Sequence, residues 1–366
     1  MAVQNVYGSA NSVSIYNYGV QYVYGNGTAN DTTIGTGGMQ HVLGGAVANN
    51  TVISNSGYQI VSGGGTVNTV VNNGGMALYS GAILNNYSGN GELLVYGNHT
   101  ISSPIDIGSG LLFMALDAPS TVSIENLSAS NATINMGVNL EDQSEGTSDQ
   151  LRITSSYNGS AILQLRNKAL TANATSGTGI KLIDIDENAT GDGTFELLGG
   201  KWDEGGYIYQ LLQDEGDPSY YLRTGGLTDT FKTMANIPML NAVVAKTGMN
   251  SLTKRMGQLR DFNNPNAKQG VWARTYYKNM TVKDLLKTDM SLFGVEAGYD
   301  WLFRADEPTK LYAGVMLGYM QANSIKTQNS VGDTNDGNGS SPSIGLYATF
   351  ANEEGWFIDF AARNFW

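Results

Sequence analysis

The first hundred residues repeat a phrase. Gly19-Val-Gln-Tyr-Val-Tyr, Gly38-Met-Gln-His-Val-Leu and Gly57-Tyr-Gln-Ile-Val-Ser stand 19 residues apart, and Gly75-Met-Ala-Leu-Tyr-Ser follows 18 residues later. A second glycine comes six residues after each, at Gly25, Gly44, Gly63 and Gly81. Short β-branched runs lie between them: Thr32-Thr-Ile34, Thr51-Val-Ile53 and Thr69-Val-Val71. Alternating apolar residues with Gly/Asn corners at this period mark a β-solenoid. One coil cannot bury its own apolar face, so stacked neighbours must bury it together.

Charge divides the chain. No Lys or Arg precedes Arg152, whereas nine acids do: Asp31, Glu92, Asp106, Asp117, Glu125, Glu141, Asp142, Glu145 and Asp149. All 20 basic residues therefore lie in the second part, against the 23 acids that remain of 32, so the two parts carry −9 and −3. A region without a cation cannot neutralise phosphate, which excludes nucleic acid as a partner of the repeats. It also lacks the basic face of a membrane-surface helix. There is no cysteine, which suits either a cytosolic chain or an exported one that must stay unlocked while it threads a pore. Met1-Ala-Val-Gln-Asn-Val has neither a basic nor an apolar signal region, so an exported protein would lack its natural N-terminus here.

Residues 1–98 are the regular repeats. From 99 to 227 the period loosens, but short apolar strands persist between Gly, Asn, Ser and Asp. The aromatic stretches 193–212 and 220–223 read as the atypical coil that closes a repeat stack. From 228 to 265 the vocabulary changes. Residues 239–261 (MLNAVVAKTGMNSLTKRMGQLRD) predict a helix of about 35 Å, with Pro238 at its start. That length matches a bilayer core, but Lys246, Lys254, Arg255 and Arg260 forbid lipid contact. Such a helix suits the inside of a pore.

After the turn Asn263-Asn-Pro-Asn, five segments over 266–366 alternate with period two. Val271, Ala273, Thr275 and Tyr277 oppose Trp272, Arg274, Tyr276 and Lys278. Phe293, Val295, Ala297, Tyr299, Trp301 and Phe303 oppose Gly294, Glu296, Gly298 and Asp300, and three further segments behave likewise. An apolar, aromatic-ended face backed by a small, polar or charged one is the pattern of transmembrane β-strands. Five strands are too few to close a barrel in lipid, so the chain is expected to be a truncated form.

Repeat stack, aromatic cap, helix and strands together resemble the layout of bacterial autotransporters, the type V secretion proteins. The repeats are similar to those of diffuse-adherence adhesins, and residues 148–223 resemble the C-terminal end of pertactin-like passengers. Residues 249–261 resemble the linker helix of the serine-protease autotransporters of enterobacteria, and 270–366 the first strands of a twelve-stranded translocator. The fold class so implied is all-β: a right-handed parallel β-helix (solenoid) passenger, a linker α-helix, then a partial antiparallel transmembrane β-barrel. The resemblance implies an outer-membrane location, assembly by the barrel-assembly machinery, and a passenger exposed at the cell surface or released. It also implies sugars on Ser or Thr of the repeats. In the linker-helix family an asparagine side chain attacks its own backbone carbonyl and releases the passenger. The matching residue is Asn250, with Ser251 where that family has a second asparagine. Glu296 and Asp359, in the lumen register, either polarise this site or pair with Lys254 and Arg255.

Other chemistry is sought without success. His41 sits in a repeat, in the slot of Tyr22 and Ile60, and His99 in a predicted turn; neither accompanies a nucleophile elbow. No Cys, no His pair and no recurrent Asp supplies a metal site. The loop Asp184-Ile-Asp-Glu-Asn-Ala-Thr-Gly-Asp-Gly lacks the ligand order of an EF-hand. No cofactor and no enzyme activity are expected, apart from self-cleavage at Asn250. The leading reading is an adhesin passenger whose uncharged Asn, Ser and Thr face, with Tyr16, Tyr18, Tyr22, Tyr24 and Tyr58, meets cell-surface glycans or proteins, or a second rod. A self-secreting passenger without binding activity, or an enzyme passenger lacking its catalytic part, are the alternatives.

Overall fold

The computed structural model describes residues 2–115, 118–263, 269–283, 285–304, 308–328 and 334–366. The turn at 263–266 therefore lies largely outside the described residues. Two compact units emerge, Met1–Thr228 and Asp229–Trp366.

The first unit is a parallel β-solenoid. One column of paired residues runs from Val3 through Val20, Met39, Tyr58, Gly75, Glu92 and Leu111 to Thr133. Three positions along, the inward column is Val6, Val23, Val42, Val61, Leu78, Val95 and Met114, every member buried. Period-two alternation explains the offset, since odd and even positions face opposite sides. The corners need left-handed backbone, and Asn26, Gly45, Gly64 and Gly81 supply it at φ 67°, 78°, 79° and 82°. These four stack, each amide donating to the next carbonyl in the order Asn26, Gly45, Gly64, Gly81.

One feature of the repeat differs from the sequence reading. Gly75 pairs with Tyr58 rather than Gly57, and Met76 with Gln59. The coil is one residue shorter than the glycine spacing suggests, because Gly74 takes the corner where a Cβ would meet Ser54 O at 2.4 Å. His99 is likewise not in a turn: it opens the strand His99–Ile101 and is buried.

Past the strands Thr121–Val138 and Gln150–Asn167 the pairing changes from parallel to antiparallel. Ile180–Ile185 pairs antiparallel with Asp217–Leu227, and Trp202–Glu204, Tyr207–Asp214 and Asp217–Leu227 form a meander. A coil hydrogen-bonded this way offers no further parallel edge. Tyr209, Tyr220 and Phe195 close the core beneath it, with Phe195 stacked on Tyr157 at 4.3 Å. The aromatic segment thus occupies the end of the stack.

The second unit is one helix and one antiparallel sheet. The helix spans Asp229–Arg260, ten residues longer at its start than the sequence predicts, so Pro238 lies inside it. A proline there forfeits one backbone hydrogen bond, and the helix continues because both flanks carry strong formers. The sheet is a five-strand meander in chain order: Gly270–Lys283, Lys287–Arg304, Thr309–Gln328, Thr334–Asn352 and Phe357–Phe365. Its two faces match the expected alternation. Val271, Phe303, Leu317, Leu346, Ile358 and Phe360 are exposed, whereas Trp272, Glu296, Asp300, Tyr312, Met316 and Tyr347 are buried under the helix. Among the described residues no helix is long and apolar enough to cross a membrane.

Candidate functional site

The helix meets the sheet along one stripe. Thr247, Gly248, Ser251, Leu252, Arg255, Met256 and Leu259 are buried, the three- and four-residue spacing of a single face. Leu252, Met256 and Leu259 pack with Trp272, Tyr312, Met316 and Tyr347. Gly248 permits the close approach, since a Cβ there would meet the Phe365 ring at 2.8 Å.

Polar groups on the stripe bind two carboxylates of the second strand. Ser251 Oγ donates to Glu296 Oε2 at 2.7 Å. Arg363 Nη1 donates to Glu296 Oε1 at 2.6 Å and to Gly248 O at 2.9 Å. Arg274 Nη1 donates to Ser251 O at 2.6 Å, while its Nε stands 3.8 Å from Glu296. One turn on, Arg255 pairs with Asp300, Nε to Oδ2 at 3.0 Å. Asp300 also accepts from Tyr347 OH, which in turn accepts from Trp272 Nε1 at 2.7 Å. Arg255 and Arg274 lie over the Trp272 ring at 5.6 and 5.3 Å. Buried charges survive when paired and hydrogen-bonded, and these are.

Of the four residues singled out in the sequence, three contact partners here. Ser251 and Glu296 are hydrogen-bonded to each other. Asp359 pairs with Arg260 at 3.1 Å. Asn250 is exposed, about 100° around the helix from Ser251, beside a cavity of about 590 Å³ that Lys254, Arg274 and Tyr276 also line. The expected pairing of Glu296 and Asp359 with Lys254 and Arg255 is corrected: their partners are Arg363, Arg274 and Arg260. Lys254 lies off the buried stripe, and Arg255 reaches Asp300 instead. Arg274, Asp300, Tyr347 and Arg363 were not foreseen as a set. Their signal was present, because each is a charged or hydroxylated residue in the lumen register of a strand.

The solenoid carries its own polar arrays. Gln21, Gln40 and Gln59 are fully buried, and their amides link coil to coil: Gln21 Nε2 to Gln4 Oε1 at 2.8 Å, then 2.6 and 2.6 Å. Gln59 Oε1 ends the ladder without a partner, as Met76 occupies the next slot. On the outer side Asn11, Asn30, Asn49, Asn68 and Asn85 form a second ladder at 2.8 to 2.9 Å. Aromatic pairs stack along the axis, Tyr7 on Tyr24 at 4.7 Å, Tyr22 on His41 at 4.7 Å and Tyr79 on Tyr96 at 4.6 Å. Burial lowers the pKa of His41, and also that of His99, although the carbonyls of Tyr96, Leu78 and Ala82 partly oppose it there. Among the described residues no cluster of metal-ligating side chains occurs.

Residues 271–366 match the autotransporter β-domain family, and residues 112–224 match the pertactin family. These matches mark an autotransporter β-domain behind a pertactin-like passenger. Over 265 residues it is 27% identical to Autotransporter CRAC of Citrobacter rodentium, spanning 66% of this chain and 15% of that protein. Over 230 residues it is 26% identical to the Escherichia coli protein named Uncharacterized protein YdeU, spanning 53% and 48%. The chain thus spans less than half the length of these relatives. Among solved structures, the hyper-glycosylated TibA fragment produced with TibC aligns at 17% identity and a TM-score of 0.29, over 53% of this chain and 91% of that one. An autotransporter β-domain belongs in the outer membrane, with the passenger at the cell surface.

Proposed function

We propose that this autotransporter displays an adhesive rod. Residues 1–98 and 99–227 serve as passenger, 228–265 as linker and 266–366 as the first translocator strands. The observation that carries the reading is the outward Asn11–Asn85 ladder on a solenoid without a cation before Arg152. A flat, neutral array of amides, on a solenoid that also carries stacked tyrosines, suits hydrogen bonding to surface glycans or proteins, or to a second rod, without long-range charge. Bacteria displaying the complete protein are expected to adhere to cell layers or to one another. Equal adherence of displaying and non-displaying cells would sink the idea and favour a passenger without binding activity.

The linker supports a second reading, self-cleavage between Asn250 and Ser251. Ser251 is held at both ends, its Oγ by Glu296 and its carbonyl by Arg274, while Asn250 opens on the adjacent cavity. Asn250 Nδ2 would attack the carbonyl carbon of its own residue. The bond to the Ser251 nitrogen then breaks, that nitrogen takes the proton, and a succinimide remains on the passenger. Asn250→Gln in the complete protein should abolish processing; a cleaved passenger in that variant refutes this route.

A further inference from the structure

We infer that the solenoid holds a glycan-binding trough along the column Tyr58, Gly75, Glu92 and Leu111, built for a neutral oligosaccharide lying parallel to the axis. The inference rests on the adhesive reading above and gives it a site. The trough has a volume of about 780 Å³ and continues to Thr133 and Gln164. Four coil steps from Tyr58 to Thr133 make it about 19 Å long, the reach of several sugar rings.

Its floor is bare backbone by necessity. At Gly74, Gly91 and Gly110 a Cβ would meet a carbonyl oxygen of the preceding coil at 2.4, 2.6 and 2.4 Å. Gly75 leaves the outward slot empty, so the Tyr58 ring leans into it, within 2.4 Å of where a Cβ would stand. The walls are amides. Asn73 Oδ1 accepts from Asn90 N at 3.3 Å, and Asn90 Oδ1 from Ser109 N at 2.9 Å. The stack consumes their oxygens and leaves the exposed Nδ2 groups as donors. Glu92 adds a carboxylate acceptor and the only charge in the trough.

This chemistry selects among ligands. No lining residue of the trough is a cation, so it has nothing to pair with phosphate, sulfate or carboxylate. Its strands are paired on both sides, so a peptide finds no free edge to extend. Donors, one acceptor and an aromatic ring match hydroxyls and the C–H face of an uncharged sugar. Glu92 disfavours uronic or sialic acids of the same shape.

The test uses the full chain in detergent micelles. Dissociation constants are measured for neutral hexose and N-acetylhexosamine oligomers and for uronate oligomers of equal length. The wild-type protein should prefer a neutral oligomer. Tyr58→Ala should weaken that binding about tenfold, and Ser109→Trp, which fills the trough from an exposed position, should abolish it. Glu92→Gln should raise uronate binding about fivefold with an unchanged urea midpoint. Neutral-glycan binding that ignores both Tyr58→Ala and Ser109→Trp would overturn the assignment, as would capture of peptides in place of sugars. Displaying cells that adhere while the purified chain binds no neutral oligomer would overturn the trough and spare adhesion. Failure of both assays would remove the adhesive reading itself.

Discussion

Inside the solenoid, Gln21, Gln40 and Gln59 pass one neutral hydrogen bond from coil to coil; between the helix and sheet of the second unit, Arg255 and Arg363 meet Asp300 and Glu296. Both interiors contain buried polar side chains, and they satisfy them by different means. A repeating structure brings an identical partner to every residue by translation, so an uncharged amide is sufficient. A structure without repeats must recruit complementary partners from afar, 45 residues away for Arg255 and 67 for Arg363. Charge makes such a partnership selective, but it leaves a large penalty when one member is lost.

That contrast can be broken by substitution. The largest effect is expected for Asp300→Ala, which strands Arg255 beside Trp272 in a dry site and should cost about 3–5 kcal/mol. The urea midpoint of the detergent-bound protein, and new tryptic cleavage after Arg255, report it. Next comes Gln40→Leu, in the middle of the amide ladder. It leaves Gln21 Oε1 unpaired and Gln59 Nε2 with only the long bond to Thr51 Oγ1 at 3.4 Å, a loss of about 2 kcal/mol after the gain from a buried Leu. If Gln40→Leu were harmless, the ladder would be packing alone. Met76→Gln sharpens the point, because it puts an amide where a buried thioether stood yet supplies the missing donor to Gln59 Oε1. It should change stability by no more than about 1 kcal/mol, whereas Val42→Gln, equally buried but off the ladder, should be severe.

The smallest effect is a pH dependence confined to the solenoid. Burial holds His41 and His99 below the ordinary imidazole value, so the unfolded chain takes up protons first on acidification. Stability from these residues is therefore complete above about pH 6.5 and declines as the pH falls below it. Urea midpoints at pH 7.5 and 5.5 should differ in this sense, and His99→Gln should narrow the gap.

What could be read from the chain follows the same division. The Val23, Val42 and Val61 part of the inward column was legible because these residues recur with the coil, whereas the glycine spacing puts Tyr79 where Leu78 stands. The ladder's end at Gln59 was not legible, since Gly74-Gly75 conceals a one-residue shortening. In the sheet, period-two alternation separated Val271 from Trp272 correctly, because strand geometry is local. The partners of Glu296 and Asp359 were not local. Lys254 and Arg255 are adjacent in sequence but about 100° apart on the helix, and only the fold shows which of them turns inward. Asp229 and Pro238 teach a related lesson: strong helix formers on both flanks carry a helix through a residue that, in isolation, would begin one. His99 was misplaced because its flanking Gly97 and Asn98 resemble a turn, although the strand begins immediately after them.

The spacing of the outer ladder has a genetic consequence. Asn11, Asn30, Asn49 and Asn68 are separated by 19 residues each, so loss of residues 31–49 would bring Asn68 to Asn30 with every inward valine back in its column. An insertion of the same size would be absorbed just as quietly. Unequal recombination between coils can therefore lengthen or shorten the solenoid in quanta of one turn. The length of the solenoid is set by copy number and not by the fold.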